Sequence, residues 1–89
     1  SYTQGAKRIV ENAGNLGRTV RSIGPRPVHK RGLEQKFSDG TRIKYEAPHS
    51  REGPDHHKSY HAHVYAPDGR QVGVVYEGGD GSIITIIGD

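Results

Sequence analysis

Leu33-Glu34-Gln35-Lys36-Phe37-Ser38-Asp39-Gly40-Thr41-Arg42-Ile43-Lys44-Tyr45-Glu46 is two short alternating runs around an Asp-Gly pair. Asp-Gly between alternating runs is a strong local hairpin signal, because glycine accepts the positive φ that a tight turn needs. Side chains alternate across a strand, so Leu33, Phe37, Ile43 and Tyr45 fall on an inward face. Arg42, Lys44 and Glu46 fall on the opposite one.

Downstream of this hairpin, Ala47 to Lys58 carries prolines, a glycine, charges and histidines, and reads as a loop. Ser59 to Ala66, Arg70 to Glu77 and Ser82 to Ile87 read as three further strands in a meander, joined by Pro67-Asp68-Gly69 and by Gly78-Gly79-Asp80-Gly81. Ile83, Ile84, Ile86 and Ile87 put branched side chains on both faces, the pattern of a strand covered on both sides, and predict a central position for it.

Upstream, Ala6, Ile9, Val10, Ala13, Leu16, Val20 and Ile23 recur at spacings of three and four, which is one face of a helix. Gly24-Pro25-Arg26-Pro27 predicts its end, since proline removes a donor and disfavours helical geometry in the residue before it. The expected architecture is α+β: an N-terminal amphipathic helix (1–24), a linker (25–32) and a twisted antiparallel sheet of about five strands (33–89) in one domain.

Size and composition narrow the function classes. At 89 residues the chain is too short for a dinucleotide fold or a multi-domain enzyme. It has no cysteine, so disulfides, thiol nucleophiles and zinc knuckles are excluded. No apolar run approaches the ~20 residues of a membrane-spanning helix. The chain begins at Ser1 and lacks methionine, so the expectation is a segment cut from a longer protein.

The net charge of +3 is unevenly spread: residues 1–58 carry +6 and residues 59–89 carry −3. Arg18, Arg21, Arg26, Lys30, Arg31, Lys36, Arg42 and Lys44 face only Glu34 and Asp39 within their stretch, a density that attracts phosphate. Four of the six histidines, His56, His57, His61 and His63, fall within eight residues, with His29 and His49 upstream.

Period two places His61, His63 and Tyr65 on one face of the third strand. If that strand neighbours the second, they meet Arg42, Lys44 and Glu46. Such a surface suits cleavage of RNA without metal, in which a base takes the 2′-hydroxyl proton, an acid protonates the leaving 5′-oxygen and cations stabilise the phosphorane. Histidine titrates near neutrality and serves in either proton-transfer role. His61 or His57 is the candidate base and His63 the candidate acid, with Glu46 as a reserve base. Lys44 with Arg42, or Arg70, meets the phosphate, and Tyr60 or Tyr65 stacks on an unpaired base. The bland reading is that alternating polar residues on a half-exposed sheet only face water. A metal site is the second chemical reading, from His61-x-His63 with His57, His49 or Asp68 as further ligands. A non-catalytic RNA-binding or protein-interaction module is the rival from another class.

Arg42-Ile43-Lys44-Tyr45-Glu46, the loop to His57, and Tyr65-Ala66-Pro67-Asp68-Gly69-Arg70-Gln71-Val72-Gly73 resemble the C-terminal ribonuclease domains of colicin-type and contact-dependent growth inhibition toxins. The order of parts is similar: a basic hairpin, acidic and histidine residues, then a strand with an Asp-Gly turn. The resemblance covers about half the chain. It implies an endoribonuclease acting on transfer or ribosomal RNA without cofactor, with Asp55, His57 and Glu46 nearest to the family's catalytic Asp, His and Glu. His49, Asp55, Arg42, Tyr65 and Arg70 are then expected to line the substrate. It further implies secretion within a larger toxin, action in the target-cell cytoplasm, and an immunity protein that an acidic surface would fit to this basic face.

Overall fold

The computed structural model describes residues 4–16, 22–29 and 32–88. One helix, α1 (Gln4–Leu16), precedes six strands: β1 (Ser22–His29), β2 (Gly32–Phe37), β3 (Arg42–Glu46), β4 (His61–Tyr65), β5 (Gln71–Glu77) and β6 (Ile83–Ile87). A short 3-10 turn (Asp55–Lys58) lies between β3 and β4. The strands form a single antiparallel sheet in the order β1-β2-β3-β4-β5-β6, so each strand pairs with its neighbours in sequence.

Three hairpins use one turn chemistry. In the first, Phe37 N–H donates to the Thr41 carbonyl at 2.9 Å, the Asp39 carboxylate accepts from Thr41 N–H at 2.8 Å, and Gly40 takes φ +94°. Asp68-Gly69 and Asp80-Gly81 repeat this arrangement, with carboxylate acceptors for Arg70 N–H and Ser82 N–H. A side-chain acceptor two residues back replaces a backbone partner and fixes each turn locally.

α1 packs across β3, β4 and β5. Ile9 and Ala13 are buried while Arg8 and Glu11 are exposed, so the helix presents its apolar residues to the sheet. They meet Phe37, Ile43, Tyr45, Ala62, Val64 and Val75, with Val10, Leu16, Leu33, Tyr60, Val72 and Ile83 around them. Among the described residues no helix is long and apolar enough to cross a membrane.

Three expectations are corrected. The described helix is Gln4–Leu16 and the chain is strand from Ser22, so the helix does not reach residue 24, and the expected linker 25–32 is largely strand, since β1 runs through Pro25 and Pro27 and pairs with β2. Prolines two apart put their missing donors on one side of the strand, which an edge strand tolerates, and β1 is an edge. The five expected strands are all present, and β1 adds a sixth at the edge. Third, β6 is the other edge and not central; Ile87 is 82% exposed and Ile86 is exposed too. The helix positions expected over 17–21 lie outside the described residues, as do Arg18, Arg21, Lys30 and Arg31 of the basic stretch.

Gly73 sets how closely helix and sheet approach. A Cβ there would stand 2.6 Å from Leu16 Cδ1 and 2.9 Å from the Ile86 carbonyl oxygen. Gly73→Ala is expected to lower the stability to urea by about 1–3 kcal/mol through overpacking, outweighing the gain from a stiffer unfolded chain of about 0.4–1 kcal/mol. An unchanged or raised urea midpoint would show that the helix is not seated there.

Candidate functional site

The site grows from the pairing of β3 with β4. Arg42 stands opposite Tyr65, Lys44 opposite His63 and Glu46 opposite His61, while Ile43 with Val64 and Tyr45 with Ala62 face α1. The expected convergence of Arg42, Lys44, Glu46, His61, His63 and Tyr65 on the face away from the helix is therefore present. β2 adds Glu34 opposite Lys44, and β5 adds Tyr76 opposite His61 and Val74 opposite His63.

The segment between β3 and β4 folds back over the Glu46 end of this face. His49 and Ser50 N–H donate to the His57 carbonyl at 3.1 and 3.2 Å, His57 N–H donates to the Pro54 carbonyl at 3.0 Å, and Glu77 N–H donates to the Tyr60 carbonyl at 3.2 Å. These bonds bring the loop imidazoles onto those of the strand. The His49 ring lies 4.5 Å from His57 and 5.1 Å from His61; His56 lies 4.3 Å from His57 and 5.4 Å from both His61 and His63. With His61 and His63 at 5.2 Å, five imidazoles form one cluster.

Its centre is closed. His61 has 0% exposure, which corrects the expectation that it points into solvent; the folded-back loop covers it, and a base in that state does not reach a substrate. Its Nδ1 is 2.9 Å from the Ser59 carbonyl. A carbonyl only accepts, so Nδ1 carries the hydrogen and Nε2 the lone pair. Nε2 is 3.8 Å from Glu46 Oε2, beyond hydrogen-bond length, and has no hydrogen-bond partner among the described residues.

His63 is half-buried and its Nδ1 is 3.0 Å from Gln71 Oε1, so in the neutral ring Nε2 carries the lone pair. Gln71 reaches this face because the β4–β5 register shifts between Val64 and Tyr65. The bulge turns Val72 toward the core and Gln71 toward His63, against the alternation set by Gly73 and Val75.

The cations sit at the opposite end of the face. Arg42 stacks over the Tyr65 ring at 5.5 Å and pairs with Glu34 at 3.5 Å. Lys44 is half-buried and has no ion-pair partner among the described residues. Glu46 lies 3.4 Å from His49 Nε2. Three other candidates are not gathered in. Asp55 is exposed and pairs with Lys58 at 3.5 Å, Arg70 is exposed in the β4–β5 turn, and Tyr60 stacks on Tyr45 at 6.1 Å toward the core. No protein-family model, curated protein or solved structure matches the chain.

Burial pushes His61 down from its ordinary 6.5 to about 4, with the Ser59 hydrogen bond opposing the shift. His56 is also lowered, first by burial and then by His57, His63 and His49, while Tyr65 is raised by burial. A histidine held neutral by folding binds its proton more readily in the unfolded chain. Its contribution is thus present above pH 6.5 and is lost as pH falls toward 4. Glu46 on β3, His63 beside it, His49, His56 and His57 on the loop, and Tyr76 on β5 face or border the same ring. In chelator, stability is expected to fall by up to about 3 kcal/mol across that window, and His61→Gln is expected to flatten the decline. Urea midpoints at stepped pH measure it; a flat profile for the parent chain would contradict the closed, neutral ring.

Proposed function

We propose that this chain is an RNA-cleaving domain whose substrate lies along the face of β3 and β4. The observation that carries the reading is the Lys44 amine, without an ion-pair partner among the described residues, directly opposite His63 and between the Arg42–Tyr65 pair and Glu46. An ammonium beside an imidazole and a carboxylate supplies the three elements of metal-free phosphodiester cleavage: charge stabilisation, proton removal and proton return.

In this reading Lys44 and Arg42 hold the scissile phosphate and Tyr65 stacks on a neighbouring base. His63, oriented by Gln71, takes the 2′-hydroxyl proton through Nε2, with Glu46 as the alternative base. The 2′-oxygen attacks phosphorus, the bond to the 5′-oxygen breaks, and the loop histidine His57 gives that oxygen its proton. The products are a 2′,3′-cyclic phosphate and a 5′-hydroxyl. His61 acts by position: it supports Glu46 and the loop from beneath.

The sequence likeness to colicin-type and contact-dependent growth inhibition toxins supports the same chemistry and extends it. The domain would then be the toxic end of a larger secreted protein, acting on transfer or ribosomal RNA in a target-cell cytoplasm. Its cationic face would be neutralised in the producing cell by an acidic immunity protein.

Purified chain incubated with total RNA in EDTA is expected to yield discrete fragments ending in 2′,3′-cyclic phosphate. Lys44→Ala and His63→Gln are each expected to slow cleavage at least ~100-fold with unchanged circular dichroism. Intact RNA retained in a salt-sensitive manner would replace the enzyme by a binding module.

A further inference from the structure

We propose that Glu46, His61 and His63 together bind one transition-metal dication of the zinc class, leaving a coordination position open toward the loop that carries His49 and His56. Each residue offers one ligand atom, and these atoms lie within 4.8 Å of one another. Ligand atoms around a tetrahedral zinc ion are about 3.3 Å apart, given metal–ligand distances of about 2.0–2.2 Å. Glu46 and His63 are half-buried and close that gap by side-chain rotation, while His61 is fixed in the sheet.

Two observations separate this cluster from a chance grouping. The first is the lone pair on His61 Nε2, in a fully buried side chain, aimed toward Glu46 and satisfied by no hydrogen bond among the described residues. A buried polar atom without a partner calls for an explanation, and an ion is one. The second is the outer shell. His61 Nδ1–H donates to the Ser59 carbonyl and His63 Nδ1–H to Gln71 Oε1, so both rings are held in the tautomer that presents Nε2. Metal-ligating histidines nearly always donate their other ring N–H in this way. Two imidazoles and a carboxylate are also a donor set suited to zinc, with one position left for water or substrate. Lys44, opposite His63, repels a dication and holds the affinity below that of a structural zinc site.

A consequence for regulation follows, and it rests on the RNA-cleavage reading above. A metal on His63 and Glu46 engages the lone pairs that accept the 2′-hydroxyl proton, so a bound ion silences metal-free cleavage and its removal restores it.

The full 89-residue chain, stripped with EDTA and dialysed, is titrated with Co(II) and followed by visible d–d absorption. One equivalent in a four- or five-coordinate spectrum, displaced by Zn(II), is expected. Glu46→Gln, whose fold is checked by circular dichroism, and His61→Ala are expected to weaken binding at least ~100-fold, and Gln71→Leu by about 10–100-fold. Asp68→Asn leaves binding unchanged. Binding that survives both Glu46→Gln and His61→Ala would assign the metal to the loop histidines and overturn the site. RNA cleavage is then measured against Zn(II). Inhibition with the midpoint of the binding curve supports the regulatory consequence, and acceleration overturns it. If no RNA is cut under any condition, the cleavage reading fails while the Co(II) titration still decides the metal site.

Discussion

The register of β3 on β4 is the constraint from which both halves of the molecule follow. Five residue pairs, from Arg42 with Tyr65 to Glu46 with His61, assign every side chain of the two strands to one face or the other. A slip of one residue would send Ile43, Tyr45, Ala62 or Val64 to the open face and drive a charge or an imidazole under α1. Burial of those four residues against Ile9 and Ala13 enforces the register. The same burial places Lys44 beside His63 without any interaction between those two residues having to do so.

On the open face the cations and the imidazoles meet where Lys44 stands opposite His63. Arg42 and Lys44 lie toward the Tyr65 end, and the histidines gather at the Glu46 end under the folded-back loop. Burial first, and then the neighbouring His57, His63 and His49, discourage His56 from protonating. The cluster is therefore a nitrogen-rich patch next to permanent cations, and anion attraction and lone-pair chemistry meet within a few ångströms.

Much of this was readable before any coordinates, and the parts that were not have identifiable causes. The Asp-Gly turns are local, so the hairpins they close and the two-sided division of β3 and β4 could be read from the chain directly. Pro25 and Pro27 resembled a linker because proline excludes a central strand; it does not exclude an edge strand, and sequence alone does not say which strand is an edge. The isoleucine run of β6 suggested cover on both faces, but side-chain pattern carries no information about neighbours. Gln71 was invisible as a partner of His63 because only the bulge brings it to that face. Tyr76 needed the β4–β5 register. The alternation of β4 puts His61 on the open face, and the loop that buries it is closed by bonds no local pattern announces, from His49 and Ser50 N–H to the His57 carbonyl.

The complete enclosure of the ring at position 61 has a bearing on how loss-of-function variants of this chain sort. Changes there strike the sheet, the covering loop and the neighbouring carboxylate at once, so they group with folding defects and show in yield and protease resistance. Changes at position 44 remove an amine that has no ion-pair partner among the described residues, and leave the packing under α1 in place. A random library divided by abundance would separate these two populations and so map, without a substrate in hand, which imidazoles belong to the architecture and which to the open surface.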